Sequence, residues 1–352
     1  MADEAAEFTG TTAVREALRF DEARLEHWLA HSVAGYAGPM TVELFKGGQS
    51  NPTYKVITPE KTYVLRRKPP GPLLKGAHAI EREACVIKAL AAVDYPVPRV
   101  HGVCTDEHVI GTPFYVMDWI DGRIFWDATL PRVSRESRTL YYDAINQTIA
   151  RLHRIDYAAV GLREYGRAGK FIERQIARWS QQYAADSADA GRDVNMDRLI
   201  AWLPAHIPSE EETTLVHGDF RIDNLVFHPT EARIIAVLDW ELSTLGHPLV
   251  DFSYHLMMYR LPPRIIAGLA GMDLPALNIP SETEYVEAYC RRTDRRVIAH
   301  LDFYLIFNMF RMAAIFHGIK ARVARGTAAS ARAKDYAAEL DWMAAWAWEH
   351  AQ

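Results

Sequence analysis

The chain has 352 residues, 49 % of them hydrophobic, enough apolar material to build a core in each of two lobes. A formal charge of −5 argues against a general nucleic-acid binder, and Cys85, Cys104 and Cys290 are too scattered for a zinc site or a disulfide scaffold. No uncharged apolar run approaches the ~18 residues of a membrane span, and the opening MADEAAEFTG lacks the regions of a signal peptide, so a cytoplasmic protein without nucleic-acid or membrane partners is expected.

The first ten or so residues are expected to fray. A helix then begins near Asp21, with Leu25, Trp28 and Leu29 on one face. Short β-type runs follow at Val42 to Phe45, Tyr54 to Ile57 and Thr62 to Arg67, separated by the turn formers GGQSNP and TPEK. After the loop KPPGPLLKG, a helix spans roughly Ala77 to Ala92 with Ile80, Ala84, Ile87 and Leu90 on one stripe, and Phe114 to Met117 forms a fourth strand. Beyond Gly122 the pattern turns helical. Ser134 caps a helix carrying Leu140, Ile149 and Leu152, and Ile172, Ile176, Trp179 and Tyr183 share a second stripe. Ser281 and Glu284 spell a capping box, and a long amphipathic stretch runs from about His300 to Arg325.

Between Leu215 and Asp251 the chain reads LVHGDFRIDNLVFHPTEARIIAVLDWELSTLGHPLVD. Asn224 opens one β-run and Asp239 follows another, Arg233 to Leu238. A hairpin through the turn HPTEA therefore makes Asn224 and Asp239 neighbours. An amide oxygen and a carboxylate converging beside Asp219 form a hard-oxygen set suited to Mg2+ carrying phosphate oxygens, with a nearby carboxylate to deprotonate an acceptor hydroxyl. In the first part of the chain, a phosphate-binding cation on a strand needs a helix carboxylate to fix it. At 100° per residue Glu83 falls within the stripe of Ile80, Ile87 and Leu90, whereas Glu81 points away, so Glu83 is the expected partner of a strand arginine.

HGDFRIDN followed by LDWE resembles the H-G-D-x4-N and D-x-E signature of the aminoglycoside phosphotransferase and choline kinase-like family. The resemblance implies an α+β, protein-kinase-like fold of two lobes: residues 14–118 as a small antiparallel-sheet N-lobe binding nucleotide, and residues 119–352 as a larger, mainly helical C-lobe. It further implies ATP and Mg2+ as cofactors, Asp219 as catalytic base, and Asn224, Asp239 and Glu241 at the metal. His217 would hold the catalytic loop, and Asp251 would brace that loop or cap the following helix. In YVLRRKPP the family position for the phosphate-binding cation is Arg66; many relatives carry lysine there, and arginine's planar fork binds phosphate with a different geometry. FKGGQSNPTY resembles the nucleotide loop, with Ser50 or Asn51 as donors, and FYVMDWIDG resembles the hinge, with backbone groups of Asp118 and Ile120 meeting the adenine edge.

Three stretches, YVLRRKPPGPLLKGAHAIERE, VLDWELSTLGHPLVDFSY and FRMAAIFHGIKARVARGTA, look like the branch found fused to, or encoded beside, acyl-CoA dehydrogenases, which phosphorylates hydroxyacyl-CoA thioesters. The expected activity is therefore transfer of the γ-phosphoryl of ATP to a hydroxyl of a small molecule, an acyl-CoA, with functional coupling to an acyl-CoA dehydrogenase. The segment HLMMYRLPPRIIAGLAGMDLPAL is apolar with arginines and lacks the acidic residues an aminoglycoside calls for; Arg311, His317, Lys320 and Arg322 add positive charge. An aminoglycoside or choline-type kinase is the alternative in substrate. A non-catalytic nucleotide-binding pseudokinase is the alternative in kind, and its usual mark, loss of the base or a metal ligand, is not seen at Asp219, Asn224 or Asp239.

Overall fold

The structure, a computed structural model, describes residues 9–46, 51–71, 78–265, 267–327 and 333–352. By contact the chain divides into two compact units, and the division is not a single cut. The first comprises the chain up to Trp126 with Tyr157–Tyr165 and Arg221–Ser243; the second comprises the remainder. Residues 221–243 group with the first unit because their hairpin bonds to it along the backbone. Arg123 and Phe227 exchange both N–H···O bonds at 2.8 Å, and the Val237 N–H donates to the Pro96 carbonyl at 2.8 Å.

Alternating β-branched and aromatic residues build one six-stranded antiparallel sheet in the first unit. Its strands are β1 (Thr11–Thr12), β2 (Thr41–Phe45), β3 (Thr53–Ile57), β4 (Thr62–Arg67), β5 (Val100–Cys104) and β6 (Phe114–Asp118), in the order β1-β2-β3-β4-β6-β5. β1 and β5 were not expected; each is a short run in which polar residues or glycine dilute the strand signal. Helix α1 (Glu22–Ser32), capped by Asp21 accepting from the Arg24 N–H, adds Leu25 and Leu29 to a core with Tyr54, Val56, Leu65 and Phe114. Helix α2 (Ile80–Ala91) is shorter than expected, because His78 lies at φ 56° in the left-handed region and the helix cannot start before it.

The second unit is mainly helical: α3 (Arg138–His153), α4 (Phe171–Ala190), α5 (Val194–Trp202), α6 (Pro248–Leu256), α7 (Glu282–Arg292), α8 (Leu301–Ala324) and α9 (Leu340–His350). A two-stranded ladder pairs Thr214–Val216 with Thr244–Gly246. α8 is apolar around most of its circumference and packs against α4, α6 and α9, the pattern of a central buried helix. The capping box of Ser281 and Glu284 is present, whereas Ser134 makes no cap bond: a 3-10 turn, Arg135–Ser137, separates it from α3. No helix among the described residues is long and apolar enough to cross a membrane.

Candidate functional site

Strand register sets the centre of the first unit. Arg66 on β4 stands opposite Thr53 on β3 and Tyr115 on β6. Its buried guanidinium places Nε 2.8 Å from Glu83 Oε2, and Nη2 2.9 Å from Asp239 Oδ1 and 3.3 Å from Glu241 Oε2. Tyr115 donates its hydroxyl to Glu83 Oε2 at 3.0 Å. Glu81, off the apolar stripe of α2, instead pairs with Lys68 at 2.8 Å. Burial opposes the charge on Arg66, but the carboxylates of Glu83, Asp239 and Glu241 more than offset it, so its pKa is raised and the guanidinium stays charged. Burial pushes the Glu83 carboxyl up, and Arg66 beside it pulls the other way without cancelling the rise.

The hairpin of Leu225–Phe227 and Ile234–Val237 delivers the second group of residues. Leu225 pairs with Val237, and the Leu238 N–H donates to the Asn224 carbonyl at 2.9 Å, so Asn224 sits beside the end of the return strand as the spacing required. Asp239 follows at φ 63°, a left-handed turn that ends the strand. Asp239, Asn224 and Arg66 line one cavity of about 410 Å3, whose other walls include Val64, Met117 and Val226. This is the size and character of a small-molecule slot, largely apolar with several polar groups in its walls. Asp118 and Ile120 line it too, but the Asp118 N–H donates to the Arg99 carbonyl at 2.9 Å and is therefore not a donor for an adenine edge. Trp119 stacks on Phe45 at 5.6 Å, and Lys55 Nζ lies 4.9 Å from the Trp119 ring; both aromatic residues line the same cavity.

In the second unit the loop carrying Asp219 is held from three directions. Asp251 Oδ2 accepts from the His217 N–H and Oδ1 from the Gly218 N–H, both at 2.8 Å. Gly218 needs its φ of 84° to present that N–H, a conformation that suits glycine. Arg311 Nη2 donates to the Gly218 carbonyl at 2.8 Å, and His217 Nδ1 accepts from the Asp219 N–H at 3.2 Å. Burial would push the Asp251 carboxyl up, yet the hydrogen bond and charge of His153, with His217, hold it below the usual carboxylate range. Tyr254, on α6, donates to Asp219 Oδ1 at 2.6 Å.

The profile of the phosphotransferase enzyme family (APH) matches residues 41–303, well over half of the chain. The chain belongs to this family. It is also 43 % identical over 344 residues to acyl-CoA dehydrogenase family member 10 of Mus musculus, an alignment covering 97 % of this chain and 32 % of the mouse protein. The chain spans less than half the length of the curated relatives it matches. A Ralstonia eutropha JMP134 protein assigned to the aminoglycoside phosphotransferases has a solved structure that is 49 % identical, with TM-score 0.87, covering 95 % of this chain and 98 % of that one. A thermostable mutant of aminoglycoside phosphotransferase APH(4)-Ia, solved as a ternary complex with AMP-PNP and hygromycin B, is 16 % identical with TM-score 0.57, covering 93 % and 98 %. That likeness shows the fold alone, an α+β, kinase-like fold.

In this phosphotransferase-family chain, Arg66, Glu83, Asn51, Asp239 and Glu241 meet in one network, and Asn224 lines the cavity that Arg66 and Asp239 also face. Ser50 lies outside the described residues. Three participants escaped the sequence reading. Tyr115 sits within an ordinary apolar strand, Tyr254 within an apolar helix, and His78 within a loop, and only their hydrogen bonds distinguish them. The first part of the apolar run after Asp251 is core, with Leu256, Met257, Leu261 and Ile265 buried, whereas Leu274–Leu277 is half-buried to exposed, so the buried part gives no support to an open acyl groove.

Proposed function

We propose that this chain transfers the γ-phosphoryl of ATP to a hydroxyl of a small molecule, with residues 14–118 as the N-lobe and 119–352 as the C-lobe. The observation that carries the reading is the Arg66 cluster at the wall of the cavity: one guanidinium, three carboxylates and an apolar slot beside them. Arg66 would hold nucleotide phosphates, with Glu83 fixing it, while the base occupies the slot against backbone at Ile120. The oxygens of Asn224 and Asp239 are hard donors lining one cavity, so the residues fit Mg2+. Asn224 and Asp239, with help from Glu241, would hold it; when bound, the ion neutralises phosphate charge. The acceptor oxygen forms its bond to the γ-phosphorus as the bond to the β,γ-bridging oxygen breaks. The hydroxyl proton passes to Asp219, and ADP leaves.

We further propose a hydroxyacyl-CoA as acceptor, in functional coupling with an acyl-CoA dehydrogenase and in the cytoplasm. The support is the name of the relatives: chains called acyl-CoA dehydrogenase family members contain a segment about 40 % identical to this one. The test is mass spectrometry of a hydroxyacyl-CoA, hygromycin B and choline after incubation with ATP and magnesium. A gain of one phosphoryl group on the acyl-CoA is expected. Modification of hygromycin B or choline instead would remove the acyl-CoA assignment and keep the chemistry. No product from any acceptor, with nucleotide still bound, favours a non-catalytic nucleotide-binding module.

A further inference from the structure

We infer that Asn51 is a positioning residue of the Arg66 site, acting through Glu83 and Glu241, and not a donor to phosphate. The inference rests on the nucleotide reading above and deepens it. Asn51 is fully buried. Its Nδ2 donates to Glu83 Oε1 at 3.1 Å and to Glu241 Oε2 at 3.3 Å. A carboxamide carries two N–H groups, so both are committed. Its Oδ1 faces His78 Nδ1 at 2.9 Å, which fixes the amide's orientation and makes Nδ1 the protonated nitrogen of that ring.

The contacts close into a ring. Arg66 Nε reaches Glu83 Oε2, Asn51 links Glu83 Oε1 to Glu241 Oε2, and Arg66 Nη2 returns to Glu241 Oε2. Two like charges converge on one side chain here, and the neutral donor is what permits it: a carboxylate at position 51 would repel both, and an apolar residue would leave buried Glu83 Oε1 without this donor. Glu83 is held at both oxygens, by Arg66 and Tyr115 on one and by Asn51 on the other. The guanidinium is thereby aimed before any nucleotide arrives, the preorganisation that a phosphate clamp requires.

A mutant cycle decides the matter, read by calorimetry with magnesium AMP-PNP. Asn51→Ala is expected to weaken binding roughly tenfold in the wild-type background and less than about twofold once Glu83→Ala and Glu241→Ala are both present, since the residue acts through those two carboxylates. Asn51→Asp, which sets a carboxylate against both Glu83 and Glu241, should weaken binding more than Asn51→Ala does in the wild-type background. An equal loss in both backgrounds would mean direct donation to phosphate and overturn the inference, as would wild-type affinity in Asn51→Ala. A wild type that binds no magnesium nucleotide overturns the nucleotide reading instead. The side-chain Nε–H resonance of Arg66 then still decides: Asn51→Ala should displace it, and an unmoved resonance rejects the positioning role.

Discussion

Arg66 and Glu83 form a buried ion pair at 2.8 Å between a central strand and the helix that covers it, while Glu81, two residues away, pairs with Lys68 on the partly exposed face. Removing one member of a buried pair leaves an uncompensated charge, which costs about 3–5 kcal/mol, whereas a surface pair contributes at most about 1 kcal/mol. Glu83→Ala should therefore lower stability by about 3 kcal/mol in denaturant titration and raise the KM for ATP at least about tenfold by releasing the phosphate clamp. Glu81→Ala should stay within about twofold in KM. Matching behaviour of the two variants would refute the assignment of Glu83.

Asp239 shares Arg66 Nη2 with Glu241 and keeps about a third of its side chain exposed. If it also serves Mg2+, nucleotide affinity should fall on chelation of magnesium in the wild type, and Asp239→Ala should weaken magnesium ATP at least about tenfold while narrowing that dependence. Calorimetry with and without magnesium reads both. Equal affinities in all four measurements would reject the metal role.

Asp219 is expected to act as base, a contribution of about 10² to 10⁴ in rate. Asp219→Asn keeps size and much of the hydrogen bonding, so turnover on a confirmed acceptor should fall by that factor while nucleotide affinity holds. Tyr254→Phe removes the 2.6 Å bond to Asp219 Oδ1 and should lower kcat by about tenfold or more, from the ~1.5–3 kcal/mol of a hydrogen bond to a charged group. Undiminished turnover in Asp219→Asn would show that another group takes the proton.

Burial lowers the pKa of His255 to about 4, and Tyr285 hydroxyl sits 2.8 Å from its Nε2. An unfolded histidine binds a proton near pH 6.5, so acidification favours unfolding: this stability is complete above about pH 6.5 and lost progressively down to about pH 4, on the order of 3 kcal/mol in all. Burial lowers His247 as well, in the same sense, and the depressed Asp251 extends the loss below the usual carboxylate range. Chemical denaturation at pH 7 and pH 5 should show His255→Gln losing about 2 kcal/mol less than wild type over that interval. Parallel losses would place the acid sensitivity elsewhere.

The sequence by itself determined the chemistry-bearing ends of the hairpin, because a two-strand return at that spacing has few ways to fold and sets Asn224 beside Asp239. It also selected Glu83 over Glu81, since helix phase is a local property and a carboxylate on an apolar stripe must find a partner. Tertiary structure alone decided the rest. Asn51 stands 190 residues from Glu241 along the chain, and no periodicity could show that one amide would bridge it to Glu83. Tyr254 looks like core until its hydroxyl is seen against Asp219, and in the apolar run after Asp251, equally suited by composition to a groove or a core, Leu256, Met257, Leu261 and Ile265 are buried. Composition reports what a side chain prefers; only packing reports which neighbour satisfies it, since that depends on contacts between segments distant along the chain.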